Sequence, residues 1–347
     1  MKMYNKTSLP LDKFINWALY DKQKGYYMKN NPFGKKGDFI TAPGISRLFS
    51  EMVAIWVITF WQSLGSPKKF NLIELGSGNG EMMEILIESF KKFPNFLKSC
   101  NLIIHEKSQL LIKSQKKNIN YKNIIWISNL NKIKSIPSIF LANEFFDAMP
   151  IKQFFKKKNT WFERCVNFLD GRINFLDKKF DMRKFENQIK FEISKKQKVV
   201  EYSLLGIKYL KKISSKIIKN QGGILIIDYG YLNGKMQNTL QAISNHKYSD
   251  VLKNIGNSDI THNINFNLFH KIVNKFKKLE TIITDQKKFL TKMGIIERAE
   301  IISKNQTFSK KADIFYRLKR LLDENEMGNL FKVMLIKNKN NKFKTGF

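Results

Sequence analysis

The stretch that most constrains this chain is residues 71–80, NLIELGSGNG, an apolar run that breaks into alternating glycines at Gly76, Gly78 and Gly80. A buried strand running through such a turn into a helix is the layout of a nucleotide-like ligand site. Glycine amides and the positive end of the helix dipole converge there on a polar or anionic group. The dinucleotide form of the loop is G-x-G-x-x-G, but this chain reads G-S-G-N-G-E from Gly76, with Glu81 in place of the third glycine. A carboxylate at that helix start would repel a pyrophosphate by roughly 1 kcal/mol or more. S-adenosylmethionine carries no phosphate, and its ammonium and sulfonium are cationic, so acids near the loop favour it. Glu74 is expected near the ammonium. The second strand, NLIIHEK, brings Glu106 to its end, 26 residues past Gly80, where a carboxylate can hold both ribose hydroxyls.

Strands and helices alternate around this motif. Strands are expected at 70–76, 101–107, 123–128, 138–146, 222–230, 280–286 and 331–338, with helical segments between most of them. That pattern argues for an α/β doubly wound, Rossmann-like sheet with right-handed crossovers. Residues 1–65 read as an N-terminal helical lobe contributing to the cofactor site, and 66–347 as the main domain. Insertions are expected at about 151–200 and 231–280. The first holds a hairpin, marked by Asp-Gly between two alternating runs over 160–180. The second reads as Asn-rich and irregular, with a helix over 266–277. A helical pair is expected between the last two strands, and the tail KNNKFKTGF is expected to fray.

Composition limits the partners. The 62 Lys and Arg against 29 Asp and Glu give a formal charge of +33, which raises the question of nucleic acid. Only seven of those cations are arginines, and the lysines run along the whole chain with much Ile, Asn and Phe. A phosphate reader needs the planar, bidentate fork of arginine, so the charge is read as compositional and nucleic acid as an unlikely partner. Two cysteines and four histidines without paired spacing suggest neither a disulfide framework nor a metal site. The absence of an apolar signal core or an 18-residue apolar run points to a cytoplasmic protein without membrane insertion.

Further acids gather near the strand ends. ANEFFDAMP, residues 142–150, sets Asn143, Glu144 and Asp147 in one short turn after the fourth strand, with Phe145 and Phe146 expected to anchor it. IDYG ends the fifth strand with Asp228 and Tyr229. GDFITAP brings Asp38, Thr41 and Pro43 from the N-terminal lobe, and SDITHNINF brings Asp259 and His262. A lone histidine among Ser, Thr and Asn is more often a structural hydrogen-bonder than a base, and His262 and His105 are both read that way. The Asn-Pro-Pro-aromatic turn of enzymes that methylate bases or glutamine is missing.

Together these segments resemble the MidA (DUF185) family, which comprises bacterial proteins and the mitochondrial protein-arginine methyltransferase that assists assembly of respiratory complex I. The resemblance runs almost end to end, through GDFITAP, IELGSGNG, HEKSQLLIKSQ, ANEFFDAMPIKQF, GGILIIDYG and SDITHNINF in the family's order. Ser77 and Asn79 stand where the family usually has Pro and Arg, Gly44 where it has Glu, and the family's Ala-His is His262-Asn263 here. The resemblance implies a class I S-adenosyl-L-methionine-dependent methyltransferase acting on arginine of a partner protein, such as a complex I subunit. It gives Glu144 and Asp147, with Asp228, as catalytic candidates. Asp38, Thr41, Pro43, Glu74, Gly76, Gly78, Gly80, Glu106 and Asn143 are the cofactor-binding candidates. An RNA methyltransferase and a non-catalytic, adenosylmethionine-sensing assembly chaperone are the alternatives.

Overall fold

The computed structural model describes residues 8–30, 32, 41–169, 171–244 and 247–347. Its central sheet is built from β1 (Phe70–Leu75), β2 (Cys100–His105), β3 (Ile124–Ile127), β4 (Ser138–Asn143), β5 (Gly222–Tyr231), β6 (Leu279–Asp285) and β7 (Phe331–Asn338). The order across the sheet is β6-β7-β5-β4-β1-β2-β3, with the short pair Ile264–Asn265 added beside the end of β5. Strands β1 to β5 pair in parallel, whereas β7 runs antiparallel between β5 and β6. Successive crossovers leave in opposite directions from the neighbours β1 and β4. A crevice therefore opens beyond their carboxyl ends, which is where such sheets bind ligands.

The strands bury both faces, so they read as continuous apolar runs. Leu72, Leu102, Ile139 and Leu225 face one core, against Trp56 and Phe60 of α2 (Arg47–Ser63) and Met83 and Leu86 of α3 (Glu81–Phe90). Their neighbours Ile73, Ile103, Phe140 and Ile226 face the other core. There they meet Leu210 and Ile213 of α5 (Leu204–Asn220) and Phe269 of α6 (Phe266–Val273). Between them in sequence, α4 (Gln109–Asn118) follows β2. A third core joins Leu11, Phe14, Ile15 and Ala18 of α1 (Leu11–Tyr20) to Val166, Ala242 and Ile260.

Several expectations need correction. The described residues of the supposed lobe 1–65 divide between two cores. Its α1 packs on the inserted strands, whereas α2 is apolar on nearly every face and is built into the core of the central sheet. The hairpin pairs Thr160–Leu169 with Arg172–Phe180, and both belong to a five-stranded sheet that also takes in Ser8–Pro10. The segment expected to be irregular contains a three-stranded sheet of Gln241–Ser244, Lys247–Ser249 and Asp259–Thr261. Strands of three or four residues are too short for a period-two pattern to be recognised. Residues 286–322 form α7 (Gln286–Lys292), α8 (Ile295–Ser303) and α9 (Phe308–Leu322) rather than a pair of helices. Among the described residues, no helix is long and apolar enough to cross a membrane.

The tail does not fray. Phe343 stands edge-on to Trp56 and Phe60 at ring distances of 5.7 and 5.1 Å, and Phe347 packs on Phe289 at 5.6 Å. Two aromatic anchors in nine residues outweigh the polar composition on which the expectation rested. Phe343→Ala should therefore lower stability by about 2 kcal/mol, less than for a fully buried Phe because the ring is only partly covered. Urea unfolding curves of the two proteins measure this, and an unchanged midpoint would restore the frayed tail.

Candidate active site

A cavity of about 460 Å³ opens at the carboxyl edge of the sheet, and Gly76, Gly78, Glu106, Glu144 and Asp147 share its wall. Gly76, Gly78 and Gly80 have φ of +67°, +54° and +88°, a left-handed run that other residues rarely adopt. The turn is also crowded. A Cβ on Gly76 would lie 2.9 Å from the Phe145 ring, and one on Gly80 2.9 Å from Ile119. Gly80 caps α3 and stands outside the cavity wall.

Glu106 is held by its own chain. Its Oε1 accepts the N–H groups of Lys107 and Ser108 at 2.7 and 2.9 Å. Its Oε2 accepts the amide of Gln115 at 3.3 Å. The same Gln115 amide nitrogen donates to the carbonyl of Gly78 at 2.9 Å, and its Oε1 accepts the Trp126 indole N–H at 2.9 Å. Gln115 is fully buried and ties the glycine turn to the acid at the end of β2. The sequence reading gave it no role. Its spacing of four from the buried Leu111 was the available signal, since it sets both on one helix face.

Glu74 departs from expectation. It is buried, receives the Ser77 hydroxyl at 2.6 Å, and does not line the cavity. Burial pushes its pKa up to about 7. It braces the loop from behind, with Ser77 as its partner where the family usually has proline.

The turn after β4 is bent back at its first residue. Glu144 has φ of +47°, uncommon without glycine, and this ends β4 at Asn143 instead of at 146. Its N–H donates to Ile227 O on β5 at 2.9 Å. Its Oε1 accepts the Ala42 N–H at 3.4 Å and the Asn143 amide at 3.3 Å. Burial first, and the nearby charge of Asp147 second, push its pKa up to about 8. Asp147 Oδ2 accepts the Tyr229 hydroxyl at 2.6 Å, while its buried Oδ1 has no partner among the described residues. Burial raises this acid to about 6.

Other candidates fall elsewhere. Asp228 does not line the cavity and is fully buried. Its Oδ2 accepts the N–H groups of Phe146 and Asp147 at 3.1 and 3.2 Å, and its Oδ1 accepts that of Tyr229 at 3.0 Å. Such a group positions the turn; it is not placed to touch a ligand, which corrects its catalytic assignment. Asn143 also stays out of the wall. Thr41 lines the cavity, Pro43 lines only a neighbouring groove of about 850 Å³, and Asp38 lies outside the described residues. Phe146 is the anchor it was expected to be, whereas Phe145 forms part of the wall. His262 donates its Nδ1–H to Asp147 O at 2.6 Å behind the wall, and burial lowers its pKa to about 4. That is the structural histidine of the sequence reading. Tyr20, Tyr27, Tyr209 and Arg320 also line the cavity, and sequence reasoning singled out none of them.

The raised acid predicts a pH dependence of stability. Glu144 is protonated in the folded chain up to about pH 8, whereas an unfolded glutamate loses its proton near 4.3. Between those values the native state binds the extra proton, so stability falls as pH rises. Glu144→Gln removes that loss. Its stability relative to the parent should be nearly level at pH 4 and should climb by about 2–4 kcal/mol by pH 9. Urea unfolding of both proteins across that range tests it, and a pH-independent difference would contradict it.

Comparison with known proteins places this geometry. Residues 52–284 match the model of a family of S-adenosyl-L-methionine-dependent methyltransferases. The protein arginine methyltransferase NDUFAF7 of Xenopus tropicalis is 27% identical over 95% of this chain and 83% of its own length. Its human counterpart is 26% identical over 95% and 80%. The fold is that of a Burkholderia thailandensis protein crystallised with S-adenosyl-homocysteine, with a TM-score of 0.83 and 21% identity. That match covers 99% of this chain and 91% of the other. With two thirds of its length matched by the family model, the chain belongs to the class I S-adenosyl-L-methionine-dependent methyltransferases, in the MidA family that its motifs resemble.

Proposed function

We propose that the protein transfers a methyl group from S-adenosylmethionine to an arginine nitrogen of a partner protein, with a subunit of the respiratory NADH dehydrogenase as the candidate partner. One observation carries this reading. Two acids, the half-buried Glu144 and the buried Asp147, share a cavity with the glycine turn and Glu106, and one oxygen of Asp147 is unpartnered among the described residues. A buried acceptor without a donor is costly, and a guanidinium would satisfy it. The relatives are named as protein arginine methyltransferases, which supports the same substrate class.

The cavity volume suits a ligand of the cofactor's size. Gly76 and Gly78 would let its amino-acid end approach the backbone, and Glu106 would hold the ribose diol. Thr41 is a further contact, while Glu74, Gly80 and Asn143 would act by holding the loop and turn in place. The bound cofactor supplies an electrophilic methyl on a positive sulfur. The chain's task is to bring a second cation to it. Two unit charges 4 Å apart repel by about 4 kcal/mol at an effective dielectric of 20. A bound guanidinium would hold Glu144, protonated in the ligand-free chain up to about pH 8, and Asp147 as carboxylates, which offset that repulsion, orient one nitrogen in line with the methyl, and draw positive charge towards the others. Glu144, with its raised pKa, can hold at a carboxylate oxygen the proton that the methylated nitrogen gives up.

Gly78→Val should abolish cofactor binding, because valine resists φ of +54° and fills the space the ligand needs. Calorimetry showing the parent's affinity would remove the loop from the site. Glu144→Gln and Asp147→Asn should bind adenosylmethionine almost as before. Turnover should fall about a hundredfold in each if about 3 kcal/mol of charge compensation is lost. Mass spectrometry of NADH dehydrogenase subunits from cells with and without the protein locates the arginine. Unmodified subunits in both would reject that partner, and full turnover in both variants would reject the site.

A further inference from the structure

Helix α9 has two apolar stripes. Ile314, Leu318 and Leu321 face the core, as one amphipathic face should. Phe308, Ala312, Phe315 and Tyr316, spaced i, i+4, i+7 and i+8, form a second stripe that faces water. Phe308 is 88% exposed, Tyr316 64% and Phe315 41%, and Ile301 at the end of α8 adds another 64%-exposed apolar side chain. Large contiguous apolar surface of this kind marks an interaction site.

We propose that this face of α9 docks the protein substrate, through an apolar segment flanked by carboxylates. The inference rests on the reading of the chain as a protein methyltransferase. Three observations choose this occupant. Lys319 stands exposed on the same side of the helix as the stripe, and Lys304 is exposed one turn beyond Ile301, so an acidic-flanked segment is complementary. A second copy of this chain, itself carrying +33, would bring like charges together. The four large exposed side chains offer on the order of 500 Å² of apolar surface. That falls short of the roughly 800 Å² per partner of a stable dimer and suits a transient encounter. The stripe also leads to the chemistry. Tyr316 lines the groove beside the cavity, and Arg320, one turn further along the same helix, lines both.

The helix sets a ruler. At about 1.5 Å per residue, the stripe lies about 6–18 Å from Arg320. An extended chain covers that in about two to six residues, so the target arginine should follow its apolar anchor at about that spacing or slightly more. The test uses synthetic 20-residue peptides with a Leu-Phe-Leu core, three glutamates on each side and one arginine five residues beyond the core. A control carries lysines in place of the glutamates. Fluorescence anisotropy at physiological salt should give at least tenfold tighter binding for the acidic-flanked peptide. Phe308→Ser/Phe315→Ser should lose that binding at least tenfold, with unchanged affinity for S-adenosylhomocysteine as the check on folding. Lys304→Glu/Lys319→Glu should reverse the preference between the peptides. Equal binding of both peptides, or by parent and variants, would overturn the proposal. So would a parent that sediments as a dimer and a serine variant that is monomeric, which would assign the face to a second copy. Labelled methyl transfer to the peptide arginine is scored separately. Binding without transfer would retain the docking face and count against the methylation reading.

Discussion

The site depends on one buried carboxylate that never reaches it. Asp228, at the end of β5, accepts the N–H groups of Phe146 and Asp147 and fastens the turn after β4 to the neighbouring strand. The Glu144 N–H adds a third tie, to the carbonyl of Ile227. Without these bonds a turn that opens with a non-glycine residue at φ of +47° would relax towards an ordinary strand exit. Glu144 and Asp147 would then not both face the cavity. Local strain of order 1–3 kcal/mol persists only where surrounding structure over-determines it, and here two strands do so.

The consequence is a concentration of acid in a dry place. Glu74, Glu106, Glu144, Asp147 and Asp228 are all raised by burial. Burying a carboxylate among other carboxylates costs stability unless it is protonated, hydrogen-bonded or met by a cation. The chain itself uses the first two. Asp228 and Glu106 are satisfied by backbone N–H groups, Glu74 by a serine, and Glu144 by its raised pKa. Asp147 is only half satisfied, and a cationic ligand would complete it. Stability and function therefore pull against each other at Glu144, as they commonly do where binding energy is stored for a ligand.

Around this site the chain has assembled parts that lie far apart in sequence. The α1 helix, the inserted hairpin sheet and the strands between 241 and 261 share one small core, which brings Tyr20 and Tyr27 over the cavity. Tyr20 donates to Ala148 O at 2.9 Å and Tyr27 to Asp259 at 2.8 Å. The insertions thus act as a wall, and α9 contributes Arg320 to the lining. The net charge takes no evident part in this wall. Its lysines are spread over the surface, and the cavity's own balance of named groups is acidic.

Much of this was legible in the residues. The seven strands, the glycine turn and the acid at the end of β2 follow from local patterns, because hydrophobic periodicity and left-handed backbone are properties of a few neighbouring residues. The turn containing Glu144 and Asp147 was legible as a cluster of acids after a strand. Its internal division of labour was not. Asp228 and Asp147 are both acids at a strand end, and only the packing of β5 beside β4 turns one inward as a brace and the other towards the cavity. The same holds for Glu74 behind the loop, for Gln115 bridging Gly78 and Glu106, and for Phe343 folding back onto Trp56. Sequence alone determined the sheet, the loop and the family. Tertiary structure decided which polar side chains are spent on backbone N–H groups and which remain for a ligand, because hydrogen-bond satisfaction depends on neighbours more than 200 residues away, as the bond from Tyr27 to Asp259, 232 residues on, shows.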